Sequence, residues 1–304
     1  MSTDDTAHDG STPLLRPGWR ARTVSVNGLD LHVVEAGPED GPPLLLLHGF
    51  PEFWWAWRHQ IDPLAAAGHR VVVPDMRGYD LSDAPQEVGA YRLDTLASDV
   101  VALADALGLG RFDLVGHDWG AVVTWWVAAR HSERLGRVVV MCGPHPDVWG
   151  GQALKHPTQA LRSTYVGLFQ LPWAPEATLG AFDFAGLKAM MRGSAEEGTF
   201  DEATLERYAH AWGHSGSLTG MLNYYRALRE REAPPEPARL TPPTLVLWAE
   251  NDSFLERHVA EAGLALCENG RLVVVEGATH WMHVEMPERI NGEVLGFLGE
   301  AREG

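Results

Sequence analysis

A single carboxylate side chain, Asp118, stands at the centre of a pentapeptide that begins and ends with glycine, Gly116-His117-Asp118-Trp119-Gly120. An apolar run over residues 112–115 precedes the pentapeptide, and a helix-like stretch over residues 121–130 follows it. This pattern predicts a nucleophile elbow, a sharp and strained turn from a strand into a helix that pushes the central side chain into a pocket.

The residue type at the centre of this elbow decides its chemistry. Serine is the usual nucleophile of such a turn, and it attacks acyl carbon with the help of a base. A carboxylate is already an anion at neutral pH, and its attack on an acyl carbon would give only an anhydride. Asp118 therefore suits displacement at a saturated carbon, which leaves an alkyl ester on the protein. The substrates that fit are epoxides and alkyl halides.

Two further side chains follow apolar runs in the way that catalytic groups follow strands. Asp252 comes shortly after residues 245–249, and His280 comes shortly after residues 272–276. The carboxyl ends of parallel strands meet at one edge of a sheet, so these side chains are expected to lie near Asp118. The chain order of nucleophile, acid and histidine is that of α/β-hydrolases.

A fourth element, the loop His48-Gly49-Phe50-Pro51, follows the apolar run at residues 44–47. Such a loop can place the backbone N–H of Phe50 beside that of Trp119. The two donors would then form an oxyanion hole.

The elements that must position these residues can be predicted from hydrophobic periodicity. Residues 23–26 and 29–33 alternate around Asn27-Gly28, a two-residue hairpin signal. Residues 93–107 have helical spacing of apolar positions. Short apolar runs predict buried strands at residues 43–47, 69–73, 112–115, 138–141, 244–248 and 272–275. The fold class expected from this alternation is α/β, a doubly wound and mostly parallel sheet.

The alternation stops between Pro144 and about Ala238, where aromatic residues and methionines recur without a convincing strand. We expect a helical cap over residues 144–238, ending in a Pro-rich linker at residues 233–237. The α/β core would then comprise residues 19–143 and 239–304. Residues 1–18 are polar and acidic, which predicts a flexible tail without a secretory signal.

Composition excludes several classes of partner. The chain has 304 residues and a net charge of -17, with no Lys/Arg-rich run, which argues against nucleic acid and anionic membrane. No apolar stretch approaches the about 18 residues that span a bilayer. Cys142 and Cys267 are the only cysteines, so we expect no disulfide framework and a cytoplasmic location. The oligomeric state stays open, a homodimer included.

Four stretches together resemble the epoxide hydrolase branch of the α/β-hydrolase family. They are His48-Gly49-Phe50-Pro51-Glu52, Asp75-Met76-Arg77-Gly78-Tyr79, the elbow at 116–120, and residues 277–281. The resemblance runs from about Arg20 to the C-terminus. In that family two cap tyrosines hold the epoxide oxygen, and the matching positions are Tyr165 and Tyr225. For Tyr224 we expect packing only.

The resemblance implies a two-step hydrolysis of a small apolar epoxide by water. The tyrosines would protonate the epoxide oxygen while Asp118 forms the ester. His280, oriented by Asp252, would then activate the water that cleaves the ester. No metal and no organic cofactor would be required. A metal site built from His280, His283 and Glu285 is disfavoured because no strong partner motif accompanies them.

Four alternatives remain at this point. A haloalkane dehalogenase would share the Asp nucleophile and the following Trp, but such enzymes usually carry Asn at the Phe50 position or a second Trp. A fluoroacetate-type dehalogenase would carry Arg where this chain has Trp119. A non-catalytic ligand-binding relative is disfavoured by the complete triad, and an ester or lactone hydrolase is disfavoured because the elbow lacks serine.

Overall fold

A computed structural model describes residues 14–230 and 238–300 of the chain. The framework is one sheet of eight strands. The strands are β1 (Arg20–Val26), β2 (Leu29–Ala36), β3 (Pro43–Leu47), β4 (Arg70–Pro74), β5 (Phe112–His117), β6 (Leu135–Met141), β7 (Thr244–Ala249) and β8 (Gly270–Val275). Their spatial order is β1-β2-β4-β3-β5-β6-β7-β8.

The sheet is antiparallel at one edge and parallel elsewhere. Strand β2 pairs antiparallel with both β1 and β4, whereas every pairing from β4 to β8 is parallel. The β1–β2 hairpin turns at Asn27 (φ 50°) and Gly28 (φ 77°), the pair of positive φ angles that a two-residue turn of this kind needs. The predicted fold class is therefore confirmed, and each predicted strand coincides with an observed one.

Helices cover both faces of the sheet and fill one long connection. They are α1 (Ile61–Ala66), α2 (Leu93–Ala106), α3 (Trp119–Arg130), α4 (Pro146–Lys155), α5 (Pro157–Arg162), α6 (Thr164–Leu168), α7 (Ala174–Gly193), α8 (Glu202–Trp212), α9 (Ser217–Arg226), α10 (Arg257–Leu264), α11 (Met282–Glu285) and α12 (Pro287–Leu298). Helix α7 is interrupted by non-helical backbone from Ala181 to Phe184.

The core lies around the central strands, which are covered on both faces. All six residues of β5, all seven of β6 and all six of β7 are buried. Continuous apolar runs of this kind are what a parallel sheet covered on both faces requires. The elbow at Asp118 follows β5, so the candidate site lies at the end of a fully buried strand.

Helices α4 to α9 all lie in the connection between β6 and β7. Within the described part of this connection there is no strand, in agreement with the expected helical character of residues 144–238. The limits of a separate cap remain a prediction. The Pro-rich segment at residues 233–237 lies outside the described residues.

The N-terminal segment contacts the core earlier than the sequence indicated. Leu14 and Leu15 pack against the core. Arg16 Nη1 donates to Asp62 Oδ2 at 2.9 Å, and Trp19 Nε1 donates to Asp62 Oδ1 at 2.6 Å. The predicted tail over residues 1–18 is therefore too long, because residues 14–18 are held by these contacts. Residues 1–13 lie outside the described residues.

None of the helices in the two described segments combines the length and apolar character needed to cross a lipid bilayer.

Candidate active site

Asp118 lies at the turn between the end of β5 and the start of α3. Its backbone has φ 50° and ψ -115°, a conformation that costs a non-glycine residue about 1–3 kcal/mol and is found mostly at functional sites. Close packing enforces the turn, since a Cβ atom on Gly120 would lie 2.1 Å from the carbonyl oxygen of Leu47. The strained backbone directs the Asp118 side chain away from the helix and into a cavity.

The loop after β3 holds one oxygen of this carboxylate. The backbone N–H of Phe50 donates to Asp118 Oδ1 at 2.7 Å. The approach is possible because residue 49 is glycine: a Cβ there would lie 2.3 Å from Asp118 Cβ. In the resting protein Oδ1 thus occupies the position where the oxygen of an ester carbonyl would sit.

The second predicted donor, Trp119, is the first residue of α3. A backbone N–H at a helix N-terminus has no partner within the helix, which suits the predicted oxyanion role. The indole of Trp119 packs edge-on against the ring of Tyr225, with 5.0 Å between the ring centroids. The oxyanion contribution of the Trp119 backbone remains a prediction.

The structure brings the other two predicted triad residues beside Asp118. His280 Nδ1 lies 2.8 Å from Asp252 Oδ2, and His280 Nε2 lies 3.6 Å from Asp118 Oδ2. Asp252 Oδ1 accepts from the backbone N–H groups of Phe254 (2.8 Å) and Leu255 (3.0 Å). Asp252 is thereby fixed on both oxygens, and Nε2 of His280 faces Asp118, the arrangement that the predicted triad requires.

The charges and hydrogen bonds around His280 favour its protonated form. Burial lowers the pKa of His280, but the charge of Asp252 and hydrogen bonds with Asp118, Asp252 and Cys142 outweigh burial and raise it well above the usual value. For Asp252, burial raises the pKa, yet the charge of His280 and the hydrogen bonds that it accepts leave it below the usual value. The pair is thus built to stabilise an imidazolium.

Tyr165 and Tyr225 line the roof of the same space, on α6 and α9. Their ring centroids are 5.9 Å apart in an edge-on contact, and both rings line the two cavities at Asp118. Burial and then the charge of Asp118 raise the pKa of Tyr165, while burial and the neighbouring Tyr165 and Asp118 raise that of Tyr225. Both phenols therefore remain protonated across the physiological pH range. Tyr224, in contrast, is fully buried and donates to the carbonyl of Arg77 at 2.9 Å.

These raised values lead to a prediction about pH dependence. A phenol acts as a proton donor only while it is protonated, and activity is lost as pH rises through its pKa. Because the folded-state pKa of both tyrosines lies above 10, we expect the rate of alkylation not to fall below at least about pH 10, the ordinary pKa of a phenol. A pH–rate profile of single-turnover alkylation checks this, and a fall centred near pH 8 would contradict it.

Two cavities meet at Asp118. An inner cavity of about 130 Å³ is lined mainly by aromatic and other apolar side chains, and an outer cavity of about 240 Å³ lies beneath α4 and α6. Asp118, Tyr165 and Tyr225 line both. The remaining inner lining is Phe50, Phe169, Met190, Phe254, His280 and Trp281. Such walls exclude water and suit an apolar substrate.

Sequence reasoning missed a buried polar network behind the triad. Glu52 lies 2.9 Å from His117 Nδ1 and 3.2 Å from His283 Nε2, and His117 Nε2 lies 2.9 Å from the carbonyl oxygen of His280. Burial raises the pKa of Glu52, but the two histidines lower it well below its usual range. Glu52 is therefore a carboxylate that can only accept.

Both ring nitrogens of His117 thus face oxygen atoms, one of Glu52 and one of the His280 backbone. These contacts connect Glu52 to the backbone that carries His280. The network also pairs His283 with Glu52, whereas Glu285 accepts from Thr279. Glu52 and His117 both stand inside the stretches that carry the family resemblance, so polar residues at buried motif positions were the available signal.

Comparison with known proteins places the chain. Residues 42–287 match the α/β hydrolase fold family. The chain is 41% identical to the AB hydrolase superfamily protein YfhM of Bacillus subtilis, over 92% of this chain and 98% of that protein. It is 37% identical to mouse Epoxide hydrolase 4, over 91% and 78% of the two chains. The crystal structure of Bacillus megaterium epoxide hydrolase with an inhibitor superposes with a TM-score of 0.84 at 28% identity, over 92% and 100%. The chain therefore belongs to the epoxide hydrolase group of the α/β-hydrolase fold family.

Proposed function

We propose that this hydrolase converts small apolar epoxides to vicinal diols through a covalent alkyl ester on Asp118. One observation carries the proposal: a carboxylate held at a strained elbow has one oxygen in a backbone N–H contact and the other facing His280, below two protonated phenols. This set supplies a nucleophile, an acid and a base for two successive displacements.

The first step is alkylation. Asp118 Oδ2 attacks a ring carbon, and the bond between that carbon and the epoxide oxygen breaks. The hydroxyls of Tyr165 and Tyr225 hydrogen-bond the oxygen and donate a proton as charge develops on it. Oδ1 stays against the Phe50 N–H and becomes the carbonyl oxygen of the new ester.

The second step is hydrolysis of this ester. Ester formation removes the negative charge of Asp118, one of the groups that raise the pKa of His280, so His280 becomes easier to deprotonate and can act as a base. It takes a proton from water, and the hydroxide adds to the Asp118 carbonyl carbon. Phe50 N–H, with Trp119 N–H as second donor, stabilises the oxyanion. Collapse releases the diol with Oδ2, and His280 returns the proton to the departing oxygen. The proton of the added hydroxide leaves the new Asp118 carboxyl and restores the phenol that protonated the epoxide oxygen.

The nearest competing function is dehalogenation of alkyl halides. A departing halide needs N–H donors and no proton. The indole of Trp119 packs edge-on against the ring of Tyr225, and Phe50 offers only its backbone N–H. The two phenols, which a halide does not need, favour the epoxide.

This difference gives a test on the tyrosines. We expect Tyr225→Phe to lower diol formation on the order of 10²-fold, the usual scale for loss of a general acid, and Tyr165→Phe to act similarly but more weakly. The double variant should be nearly inactive. The measurement is diol formation from a panel of aryl and alkyl epoxides.

Tyr224→Phe is the matched control, because its hydroxyl bonds to the Arg77 carbonyl rather than facing Asp118. Halide release from 1-haloalkanes is measured beside diol formation. Full epoxide turnover by both Phe variants would refute the role of the phenols, and halide release faster than diol formation would favour the dehalogenase.

We propose that the protein is located in the cytoplasm. Cys142 and Cys267 are both free thiols, as is usual in a reducing compartment.

A further inference from the structure

The loop that carries Asp252 is hydrogen-bonded by a glutamine of the connection between β6 and β7. Gln159, on α5, is fully buried. Its Nε2 donates to the carbonyl of Phe254 at 2.9 Å, and its Oε1 accepts from the N–H of Glu256 at 2.8 Å. The side chain thus meets the loop backbone in the way that a neighbouring strand would.

The same loop segment, residues 254–256, also holds the Asp252 carboxylate. The N–H groups of Phe254 and Leu255 hold Asp252 Oδ1, while the carbonyl of Phe254 and the N–H of Glu256 hold Gln159. The position of one peptide segment is therefore set jointly by Asp252 and by Gln159.

Two further residues of α5 also hydrogen-bond the 252–256 loop. Arg162 Nη1 donates to the carbonyl oxygen of Asp252 itself, and Thr158 Oγ1 donates to Glu256 Oε2 at 3.1 Å. The remaining N–H of the Gln159 amide donates to Ser163 Oγ at 2.9 Å. Both amide N–H groups and the amide oxygen are used, so the side chain has a single orientation.

We propose that Gln159 is a positioning residue for the hydrolytic step, holding the 252–256 loop so that Asp252 keeps its hydrogen bond to His280. This inference rests on the proposed function, since it assigns the step that would suffer. Phe254 strengthens the link, because its ring contacts both His280 (5.0 Å between centroids) and Tyr165 (6.0 Å). The packing of α5 against the core and the alignment of the triad therefore depend on each other.

The test compares two variants of Gln159. Gln159→Met keeps the length of the side chain and removes all three hydrogen bonds. Gln159→Glu keeps the acceptor for the Glu256 N–H and loses both donated bonds. Gln152→Met, on the neighbouring α4, is the matched control, since it changes the same residue type and α4 holds none of the contacts to the loop described above.

Two readouts separate positioning from packing. The first is the pKa of His280, followed by NMR of labelled histidine and assigned with His280→Gln. Asp252 raises this pKa, so a displaced Asp252 lets it fall, and we expect a drop of about half a unit or more in Gln159→Met. The second is the rate of ester hydrolysis, expected to fall about 10-fold, with alkylation nearly unchanged so that the ester accumulates.

The expected order for both readouts is wild type, then Gln159→Glu, then Gln159→Met, with Gln152→Met equal to wild type. An unchanged His280 pKa and hydrolysis rate in both Gln159 variants would overturn the proposal, even if their melting temperatures fall. The Glu variant decides the question where the Met variant does not fold. Should wild-type protein form no ester, the proposed function fails, and the His280 titration still tests the role of Gln159.

Discussion

Asp118→Ala should abolish diol formation, with a loss on the order of 10⁵-fold, the scale seen when a covalent nucleophile is removed. The reason is that neither water nor His280 can replace an anion that sits in the elbow and attacks carbon directly. The substitution removes no packing from the core, because the Asp118 side chain projects into the cavities. We therefore expect a melting temperature equal to or above that of wild type, since functional residues are often held at a cost in stability.

The measurement is diol release per hour at saturating epoxide, combined with a thermal melt of each protein. A fully folded Ala variant that still turns over epoxide would contradict the nucleophilic role. The thermal melt shows whether a loss of activity comes from a loss of folding. If the Ala variant is unfolded, the test is repeated with Asp118→Asn, which keeps the size of the side chain.

His280→Gln should separate the two chemical steps. Alkylation needs Asp118 and the phenols, whereas hydrolysis needs a base, so the ester should form and remain. The intact mass of the protein should rise by one substrate mass after incubation with epoxide, and steady-state turnover should fall on the order of 10³-fold or more. Asp252→Asn should show a milder form of the same defect, because it weakens the orientation of His280 and the stabilisation of its cation.

His210→Gln is a suitable control, as this histidine is exposed on α8. No adduct in the His280 variant, despite bound substrate and an intact Asp118, would show that His280 is not the base of the second step. An adduct that hydrolyses at the wild-type rate would lead to the same conclusion.

Much of the fold was predictable because its signals are local. The apolar runs of a parallel sheet are continuous, and β5, β6 and β7 are buried on both faces, so each strand is visible in isolation. Parallel strands also bring their carboxyl ends to one edge. For that reason Asp118, Asp252 and His280 could be placed together although 134 residues separate Asp118 from Asp252 along the chain.

Contacts that depend on side-chain pairing over long separations could not be predicted. Glu52 and His117 are 65 residues apart and Gln159 and Phe254 are 95 apart, and neither pair has a spacing that sequence periodicity can report. The tail boundary was wrong for a related reason: the groups that hold Leu14, Leu15 and Arg16 are the core and Asp62, which lie far along the chain. Backbone geometry at the elbow was predictable, whereas the polar network that supports it was not.

The covalent ester is tested most directly by one turnover of wild-type protein in water labelled with heavy oxygen, with protein in excess over epoxide. Asp118 Oδ2 attacks carbon and leaves with the product, while solvent oxygen enters at the carbonyl carbon of Asp118. The predicted result is a first diol without solvent oxygen, and a proteolytic peptide containing Asp118 that has gained one heavy oxygen. Heavy oxygen in the first-turnover diol, with an unlabelled Asp118 peptide, would show that water attacks the epoxide itself and would contradict the covalent mechanism.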